Sequence, residues 1–284
     1  MTQPVCLTIA GLDPSGGAGI VADIKTFSAF GCFAAAAITS ITFQNTTGVF
    51  GASAQTAETV RGQIEPVLQD FAVAALKTGM LPTGEIIEEV ARLIKTNKLK
   101  NFVVDPVVRS TSGFDLIDDE ALRALVERLF PLADLITPNV PEAERIARMK
   151  IENAGDVEKA ARIMQSQGAK NVLIKGGHLP NAERGTQNAE SKTKGQKSKV
   201  DSRTARDFLF LGGDLHVFEA EFIETTATHG TGCTLAAAIT ANLANGKNLW
   251  EAVEISKRFV TEAIRTAPHL GKGHSPINQL IASS

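Results

Sequence analysis

The feature that most constrains this fold is the alternation of short apolar runs with longer segments whose apolar residues recur at helical spacing. Apolar runs of strand length occupy residues 5–10, 73–76, 102–104, 135–136 and 172–174. Helical spacing is found at residues 20–30, 60–68, 86–94, 122–129 and 157–167. This order predicts an α/β fold with a mostly parallel sheet, because each crossover returns right-handed over the sheet and leaves helices on both faces.

One early stretch, residues 32–42, is ambiguous. Its four consecutive alanines favour a helix, whereas Ile38, Ile41 and the threonines favour a strand. We predict a strand at the C-terminal end of this stretch. With 284 residues, the chain is long enough for one large α/β domain or for two smaller ones.

The C-terminal part follows a different pattern. Residues 207–211 and 214–218 flank Gly212-Gly213, which predicts a β-hairpin with a two-residue turn. Two final helices are predicted at about 234–244 and 249–267.

A polar segment at 181–204 separates the parallel part from this hairpin. It is rich in Asn, Gln, Ser, Lys and Thr and carries almost no large apolar side chain. Because it cannot bury enough surface to offset its ordering entropy, we predict a mobile surface insertion. The functional alternative is a lid over a bound nucleotide.

Composition excludes several classes of function. The 29 basic and 31 acidic residues are nearly balanced, so no nucleic-acid or membrane partner is expected. There is no Tyr and one Trp, which argues against stacking platforms for single-stranded nucleic acid. Three cysteines give no disulfide framework and fit a reducing cytoplasm. We expect neither a signal segment nor a membrane span, since no apolar stretch approaches ~20 residues.

Residues 228–234, Thr-His-Gly-Thr-Gly-Cys-Thr, precede an alanine-rich helix and are called the anion loop below. The first N–H groups of a helix lack partners within it, and the helix dipole is positive there, so such a loop binds anions. Gly230 and Gly232 let the backbone approach a charged group closely. Cys233 lies at the positive end, where a thiol ionises more easily. The alternative is a glycine-rich loop that only caps its helix.

Acidic and amide side chains follow two of the predicted strands. Asn139 and Glu142 are three residues apart at a helix start, where they suit a hydrated Mg²⁺ beside phosphates. Their spacing fits an ordinary helix cap equally well, with Pro141 at the first helical position. Asp105 ends another strand, where it is either a metal or nucleotide ligand or a solvated loop acid.

Other candidates lie at further strand ends. The loop at 11–19, called the glycine loop below, has the wrong glycine spacing for a dinucleotide fingerprint and is interpreted as a wall of a substrate pocket. Asp23, in the helix that follows, faces the pocket or solvent. The Gln44 amide matches the donor–acceptor edge of an aminopyrimidine, unless it is only a polar strand end. Lys175 precedes two glycines and is placed to neutralise phosphate, or belongs to an ordinary loop.

Together these motifs closely resemble the hydroxymethylpyrimidine/phosphomethylpyrimidine kinases of thiamine biosynthesis, within the ribokinase-like superfamily. The resemblance covers nearly the whole chain in order. It rests on Ala10-Gly11-Leu12-Asp13-Pro14-Ser15-Gly16-Gly17-Ala18-Gly19-Ile20, Ala22-Asp23, Lys25-Thr26, Gln44-Asn45-Thr46, Lys77 with Gly79-Met80-Leu81, Asp105-Pro106-Val107, Thr137-Pro138-Asn139 with Pro141-Glu142-Ala143, Lys175-Gly176-Gly177-His178, the anion loop, and Gly271-Lys272-Gly273-His274-Ser275-Pro276-Ile277-Asn278.

The resemblance implies one three-layer α/β/α domain over residues 1–284, usually dimeric. It also implies ATP-dependent phosphorylation, with Mg²⁺, of 4-amino-5-hydroxymethyl-2-methylpyrimidine and then of its monophosphate. By position, the pyrimidine pocket comprises Gly11, Asp23, Gln44, Met80 and Val107. Phosphate and nucleotide binding falls to Asp105, Asn139, Glu142 and Lys175, with Mg²⁺ held by Asp105 and Glu142, directly or through water. Catalysis falls to Gly230, Thr231, Gly232 and Cys233, the last standing where sugar kinases of the superfamily carry an aspartate base.

The chain departs from the family pattern at three places, one of which is the polar segment at 181–204, which is longer than usual. Leu12 stands where Ser is usual, which removes a hydrogen bond from the pocket. Residues 108–112, Val-Arg-Ser-Thr-Ser, replace a more usual Met-Val-Ala-(Lys or Thr)-Ser, and Arg109 is a candidate substitute for the lysine. Two rival functions stay open: a pyridoxine or pyridoxal kinase on the same fold, and a non-catalytic pyrimidine-binding regulatory protein.

Overall fold

A computed structural model describes residues 3–108, 116–177 and 204–281. Arg109 and the polar segment up to residue 203 lie outside the described residues. The strands are β1 (Val5–Leu12), β2 (Phe33–Asn45), β3 (Gly48–Ala54), β4 (Val73–Thr78), β5 (Phe102–Val104), β6 (Leu135–Ile136), β7 (Val172–Gly177), β8 (Thr204–Leu211) and β9 (Asp214–Glu221). The helices are α1 (Gly19–Ala29), α2 (Ala57–Asp70), α3 (Gly84–Thr96), α4 (Asp119–Ala124, continued by a π-helical turn at Leu125–Leu129), α5 (Val140–Ala147), α6 (Ala154–Ser166), α7 (Thr231–Ala244) and α8 (Leu249–Arg265).

All nine strands form one sheet in the order β3-β2-β1-β4-β5-β6-β7-β8-β9. The six strands from β2 to β7 in that order pair in parallel, whereas β3 and β8 run antiparallel to their neighbours. The predicted α/β fold class, with its mostly parallel sheet, C-terminal hairpin and two final helices, is confirmed.

Successive side chains of each strand point to opposite faces of the sheet, and each face is covered by its own layer of helices. Leu7 and Ile9 of β1 belong to the larger core, beneath α2 to α6, whereas Cys6, which precedes Leu7, packs against α1 and α7. Val103 of β5 likewise packs toward α7 and α8. Both faces of the central strands are buried, which explains why their sequences are continuous apolar runs.

Residues 32–42 are strand almost throughout, because β2 begins at Phe33 and pairs in parallel with β1 from its first residue. The small alanine side chains of β2 therefore serve close packing of layers and do not indicate a helix. The strand β3 was not predicted. Strand β2 continues to Asn45 and turns back as a hairpin into β3.

Within the part of the chain that the structure describes, no helix combines the length and the apolar character needed to cross a membrane.

Candidate active site

A cleft opens where the carboxyl ends of the parallel strands meet, as expected for an open α/β sheet. Nearly all of the predicted site residues line it: Gly11, Gln44, Met80, Asp105, Val107, Asn139, Glu142, Lys175, Gly230, Thr231, Gly232 and Cys233. The parallel topology explains this convergence, since each strand delivers the residues that follow it to the same edge.

The anion loop forms the N-terminus of the long helix α7. Gly230 is the N-cap residue in a left-handed conformation, with φ of 80°. A Cβ there would lie 1.8 Å from the carbonyl oxygen of Gly17 in the glycine loop. Only glycine satisfies both the backbone conformation and this approach. The two loops therefore fit directly against each other, and the first N–H groups of α7 face the cleft.

Lys175 lies beneath the anion loop and pairs with Asp105. Its Nζ is 3.0 Å from Asp105 Oδ1, and a Cβ on Gly232 would lie 3.2 Å from the same nitrogen. Burial alone would lower the pKa of Lys175, but the charges of Asp105 and Glu142 hold it above its usual value. A positive charge is therefore held beside the helix N-terminus, and both features favour an anion.

Glu142 both caps a helix and lines the cleft, so it fits the two interpretations given for it in the sequence. It forms a capping box with Asn139: the Asn139 side chain accepts from Glu142 N–H at 2.8 Å, and Glu142 Oε2 accepts from Asn139 N–H at 2.8 Å. It also lines the cleft with 5 % exposure. Burial raises the pKa of Glu142 to about 7, with Lys175 opposing and Asp105 adding to the rise. The residue therefore caps α5 and presents a tunable carboxyl group to the cleft.

The oxygen donors of this region fit Mg²⁺. Among the described residues, no group of three or more His, Cys, Asp or Glu is arranged as a metal cage. Mg²⁺ rarely uses one, since it keeps several waters and takes one or two carboxylates together with substrate phosphates. Asp105 and Glu142 supply that number of carboxylates beside Lys175 in the cleft.

Cys233 is partly exposed to the cleft, and a buried ion pair lies nearby within the protein. Lys77 Nζ is 2.9 Å from Asp23 Oδ2, and both side chains are fully buried. Burial raises the pKa of Cys233 to about 12, and the Lys77 charge opposes this rise. The predicted ease of ionisation at the helix N-terminus is therefore not realised, because desolvation outweighs the favourable charges.

Asp23 does not lie where it was predicted to lie. Its carboxylate is fully buried, accepts from Thr8 Oγ1 at 2.6 Å and from Lys77, and is not part of the cleft wall. Its Oδ1 has no hydrogen-bond partner among the described residues. Asp23 lies on the face of α1 that packs on the sheet, so it contacts β1 and β4 and not the pocket. Burial raises the pKa of Asp23 against the opposing charge of Lys77.

Apolar side chains line part of the cleft. Met80 is nearly buried and lies against Gly11, where a Cβ would come within 3.2 Å of its sulfur. Val107 and Leu12 also line the cleft, and Gln44 supplies a polar amide to it. The cleft therefore combines apolar side chains with one amide that offers both a donor and an acceptor.

Several residues that close the cleft were not given roles from the sequence. Asp13 Oδ2 and His229 Nε2 are hydrogen-bonded at 2.7 Å, which joins the glycine loop to the anion loop. Thr46 accepts from Gly273 N–H and its carbonyl accepts from His274 N–H, which joins the β2–β3 hairpin to the C-terminal segment. Gln279 Nε2 donates to the Gly17 carbonyl at 3.0 Å. Their only signal in the sequence was membership of glycine-rich stretches far apart along the chain.

A mostly parallel sheet with a glycine-rich helix N-terminus, a lysine and two carboxylates around one cleft defines a small-molecule kinase of the ribokinase-like fold. Comparison with known proteins gives the family. The family model described as phosphomethylpyrimidine kinase matches residues 13–278. This chain belongs to that family.

Three proteins illustrate the similarity. The hydroxymethylpyrimidine/phosphomethylpyrimidine kinase of Haemophilus influenzae is 42% identical over 273 residues, which cover 96% of this chain and 95% of that protein. The structure of phosphomethylpyrimidine kinase from Clostridium difficile is 41% identical with a TM-score of 0.75, covering 92% of this chain and 100% of that one. An ADP complex of Bacillus subtilis pyridoxal kinase is 36% identical with a TM-score of 0.82, covering 98% of each chain. The resemblance drawn from the sequence and the assignment as a phosphotransferase are confirmed.

Proposed function

We propose that this enzyme transfers the γ-phosphoryl group of ATP, with Mg²⁺, to 4-amino-5-hydroxymethyl-2-methylpyrimidine. A second transfer to the monophosphate then gives the diphosphate for thiamine biosynthesis. The observation that carries the proposal is the cleft that the anion loop and Lys175 share with the Gln44 amide and Met80. Family membership gives the same substrate class.

In the first transfer, the hydroxymethyl oxygen attacks the γ-phosphorus, a new O–P bond forms, and the bond from that phosphorus to the ADP oxygen breaks. The hydroxyl proton is released late in the step and passes to an oxygen of the transferred phosphoryl group. Charge develops on the transferred oxygens, where the N–H groups of Gly232 and Cys233 and the ammonium of Lys175 stabilise it. Asp105 and Glu142 would hold the metal that neutralises the phosphates. Because its thiol is neutral near pH 7, Cys233 orients the hydroxyl group and is not a preformed thiolate base. The loose transition state needs no strong base before bond breaking.

The direct test is turnover of three compounds with ATP and Mg²⁺, with products separated by mass: the hydroxymethylpyrimidine, its monophosphate and pyridoxine. Formation of the diphosphate from the first two is expected. No turnover of any compound, with tight pyrimidine binding retained, would indicate the regulatory protein instead.

A vitamin B6 kinase is the second candidate, because structures named pyridoxal kinase share the whole fold with this chain at 30–36% identity. Pyridoxine also carries a hydroxymethyl group on a six-membered nitrogen ring. Gln44 favours the aminopyrimidine, since its amide pairs with a neighbouring donor and acceptor on that ring. Turnover of pyridoxine alone in the same assay would select this candidate.

The proposal includes a homodimer in the cytoplasm, built from a single kinase domain with the polar insertion near 181–204. One face of the β2–β3 hairpin lines the cleft through Gln44 and Val49. Its other face exposes Phe43 and Phe50, at 54% and 69%, with Ile41 beside them. Such an apolar face on an edge hairpin suits a second copy of the chain. All three cysteines are free, in keeping with a reducing compartment.

Light scattering tests the dimer. The wild type is expected at twice 30.1 kDa, and the double variant Phe43→Ser/Phe50→Ser at the monomer mass. The matched control is Trp250→Ser, an exposed aromatic on α8 away from the hairpin, which is expected to keep the dimer mass. A monomeric wild type would contradict this part of the proposal.

A further inference from the structure

The outer part of the β2–β3 hairpin projects beyond the neighbouring strand β1. The pairing of β2 with β1 ends at Ile41, which lies opposite Leu12. Beyond that point, among the described residues, β2 pairs with β3 alone, and Gln44 lies opposite Val49. A two-stranded hairpin without a further neighbour is only marginally stable in water. The position of Gln44 in the cleft therefore depends on the contacts that the hairpin tip makes with the rest of the protein.

Thr46, at the tip of the hairpin, is bound by residues 271–279, which are called the clasp below. Its Oγ1 accepts from Lys272 N–H at 3.2 Å and from Gly273 N–H at 3.3 Å. Its carbonyl oxygen accepts from His274 N–H at 2.7 Å. A Cβ on Gly273 would lie 2.1 Å from that carbonyl oxygen. Three successive N–H groups of the clasp therefore bind one residue, and the fit leaves no room for a side chain at position 273.

The same clasp binds the anion loop and the glycine loop. Its Ser275 carbonyl accepts from His229 N–H at 3.2 Å, and its Ile277 N–H donates to the His229 carbonyl at 3.4 Å. Gln279, which is 3% exposed, donates to the Gly17 carbonyl at 3.0 Å. Among the clasp residues, which the structure describes in full, a single histidine lines the cleft. The clasp therefore joins three walls of the cleft while adding one residue to its lining.

We propose that the clasp holds the hairpin in a fixed position relative to the anion loop, and that Thr46 is the positioning residue through which it does so. The bonds to Thr46 and those to His229 come from one short stretch of backbone, so the Gln44 amide is kept in place relative to the N–H groups that bind phosphate. Thr46 also lines the cleft, but its hydroxyl oxygen already accepts two N–H groups of the clasp. The inference rests on the proposed pyrimidine kinase function and adds the origin of the alignment between its pyrimidine and phosphate sites.

The test measures binding of the hydroxymethylpyrimidine and of ADP with Mg²⁺ separately, by calorimetry. Thr46→Val keeps the branched shape and removes the acceptor of two N–H groups. It is expected to raise the Kd of the pyrimidine roughly 5- to 30-fold, because the hairpin then occupies the binding position for a smaller fraction of the time. The Kd of ADP is expected to stay within about twofold, since the bonds between the clasp and His229 remain. Thr46→Ser keeps the acceptor and is expected to bind the pyrimidine within about threefold of the wild type.

Gly273→Ala disturbs the same contact from the other side. Its Cβ would collide with the Thr46 carbonyl, and Gly273 does not line the cleft. It is expected to weaken pyrimidine binding as Thr46→Val does, and the double variant is expected to lie within about twofold of the weaker single variant, because both changes break one contact. Two matched controls are expected to keep the wild-type Kd: Gly62→Ala, whose Cβ meets nothing within 4 Å, and Thr47→Val, whose hydroxyl bonds Asn45 within the turn.

Three results would overturn the role of the clasp: an unchanged pyrimidine Kd in Thr46→Val, an equal loss in Thr47→Val, or a loss of pyrimidine and ADP affinity by the same factor. All variants are compared at the wild-type mass in light scattering, so that a change of assembly is not mistaken for a change of alignment. If Gly273→Ala does not fold, the contrast between Thr46→Val and Thr46→Ser decides. A wild type that binds ADP and no pyrimidine overturns the proposed function together with the clasp, whereas a wild type that binds both, with unaffected variants, overturns the clasp alone.

Discussion

The reactivity of Cys233 toward an alkylating reagent measures the electrostatics of the cleft directly. Cys233 is partly exposed, whereas Cys6 and Cys32 are buried at 0% and 2% exposure. Iodoacetamide should therefore modify Cys233 selectively in the folded protein. Burial raises the pKa of this thiol from its ordinary value of 9.0 to about 12, against the opposing charge of Lys77. Only the thiolate reacts, so alkylation reports the ionised fraction.

The expected slowing follows from that pKa. At pH 8, about one thiol in ten is ionised at a pKa of 9.0, and about one in ten thousand at a pKa of 12. A more basic thiolate is also a better nucleophile. At a Brønsted coefficient of about 0.45, the intrinsic rate constant of the Cys233 thiolate is roughly twenty times that of an ordinary thiolate. Alkylation should therefore be about fifty times slower than that of a free cysteine under the same conditions.

The assay is intact-mass spectrometry of timed samples between pH 7 and 10, with the modified residue located by peptide mapping. The rate is expected to rise about tenfold per pH unit without a plateau, since the pH stays below the pKa throughout. Lys77→Met/Asp23→Asn removes the cation without leaving a buried charge, and should slow the reaction further. A plateau below pH 9, or a rate equal to that of a free thiol, would refute the reasoning about burial.

Three further predictions concern activity and stability. Cys233→Ala is expected to slow the first phosphorylation at least tenfold more than the second, because the monophosphate is already a nucleophile; equal losses in single-turnover assays would remove its role in orienting the hydroxyl. Gln44→Leu is expected to weaken pyrimidine binding by about 1–3 kcal/mol, since it leaves a polar ring edge unpaired; an unchanged Kd would place Gln44 outside the pocket. Glu142 has a folded pKa of about 7, above its ordinary 4.5, so its contribution to stability is present below pH 4.5 and is lost as the pH rises through 7. Glu142→Gln should flatten that decline in the thermal midpoint between pH 5 and 8, and a profile parallel to the wild type would contradict the raised pKa.

Local sequence patterns were sufficient for the central part of the fold. Buried parallel strands are continuous apolar runs, so β4, β5 and β7 stand out between helical stripes. The hairpin strand β3 carries no such signal, because its glycines, alanines and serine are largely exposed at the sheet edge. In β2, alanines have intrinsic helix propensity that tertiary packing overrides.

The candidate site was predictable wherever a residue directly follows a strand, since topology alone brings those residues together. Side chains paired across the fold were not. Lys77 and Asp23 are 54 residues apart, and nothing local to either shows that their charges neutralise each other within the core. The same holds for the Cys233 thiol, whose pKa depends on burial that a seven-residue motif does not encode.

The glycine loop contacts residues near the other end of the chain, and this affects the order in which parts of the enzyme fold. Asp13 contacts His229 across 216 residues, and Gly17 contacts Gln279 across 262. Contacts of such separation carry a high loop-closure cost and form late in folding. During synthesis, the sheet from β1 to β7 can assemble while the cleft still lacks one wall. Substrate affinity should therefore be the last property to recover on refolding, after the helices and the apolar core are complete.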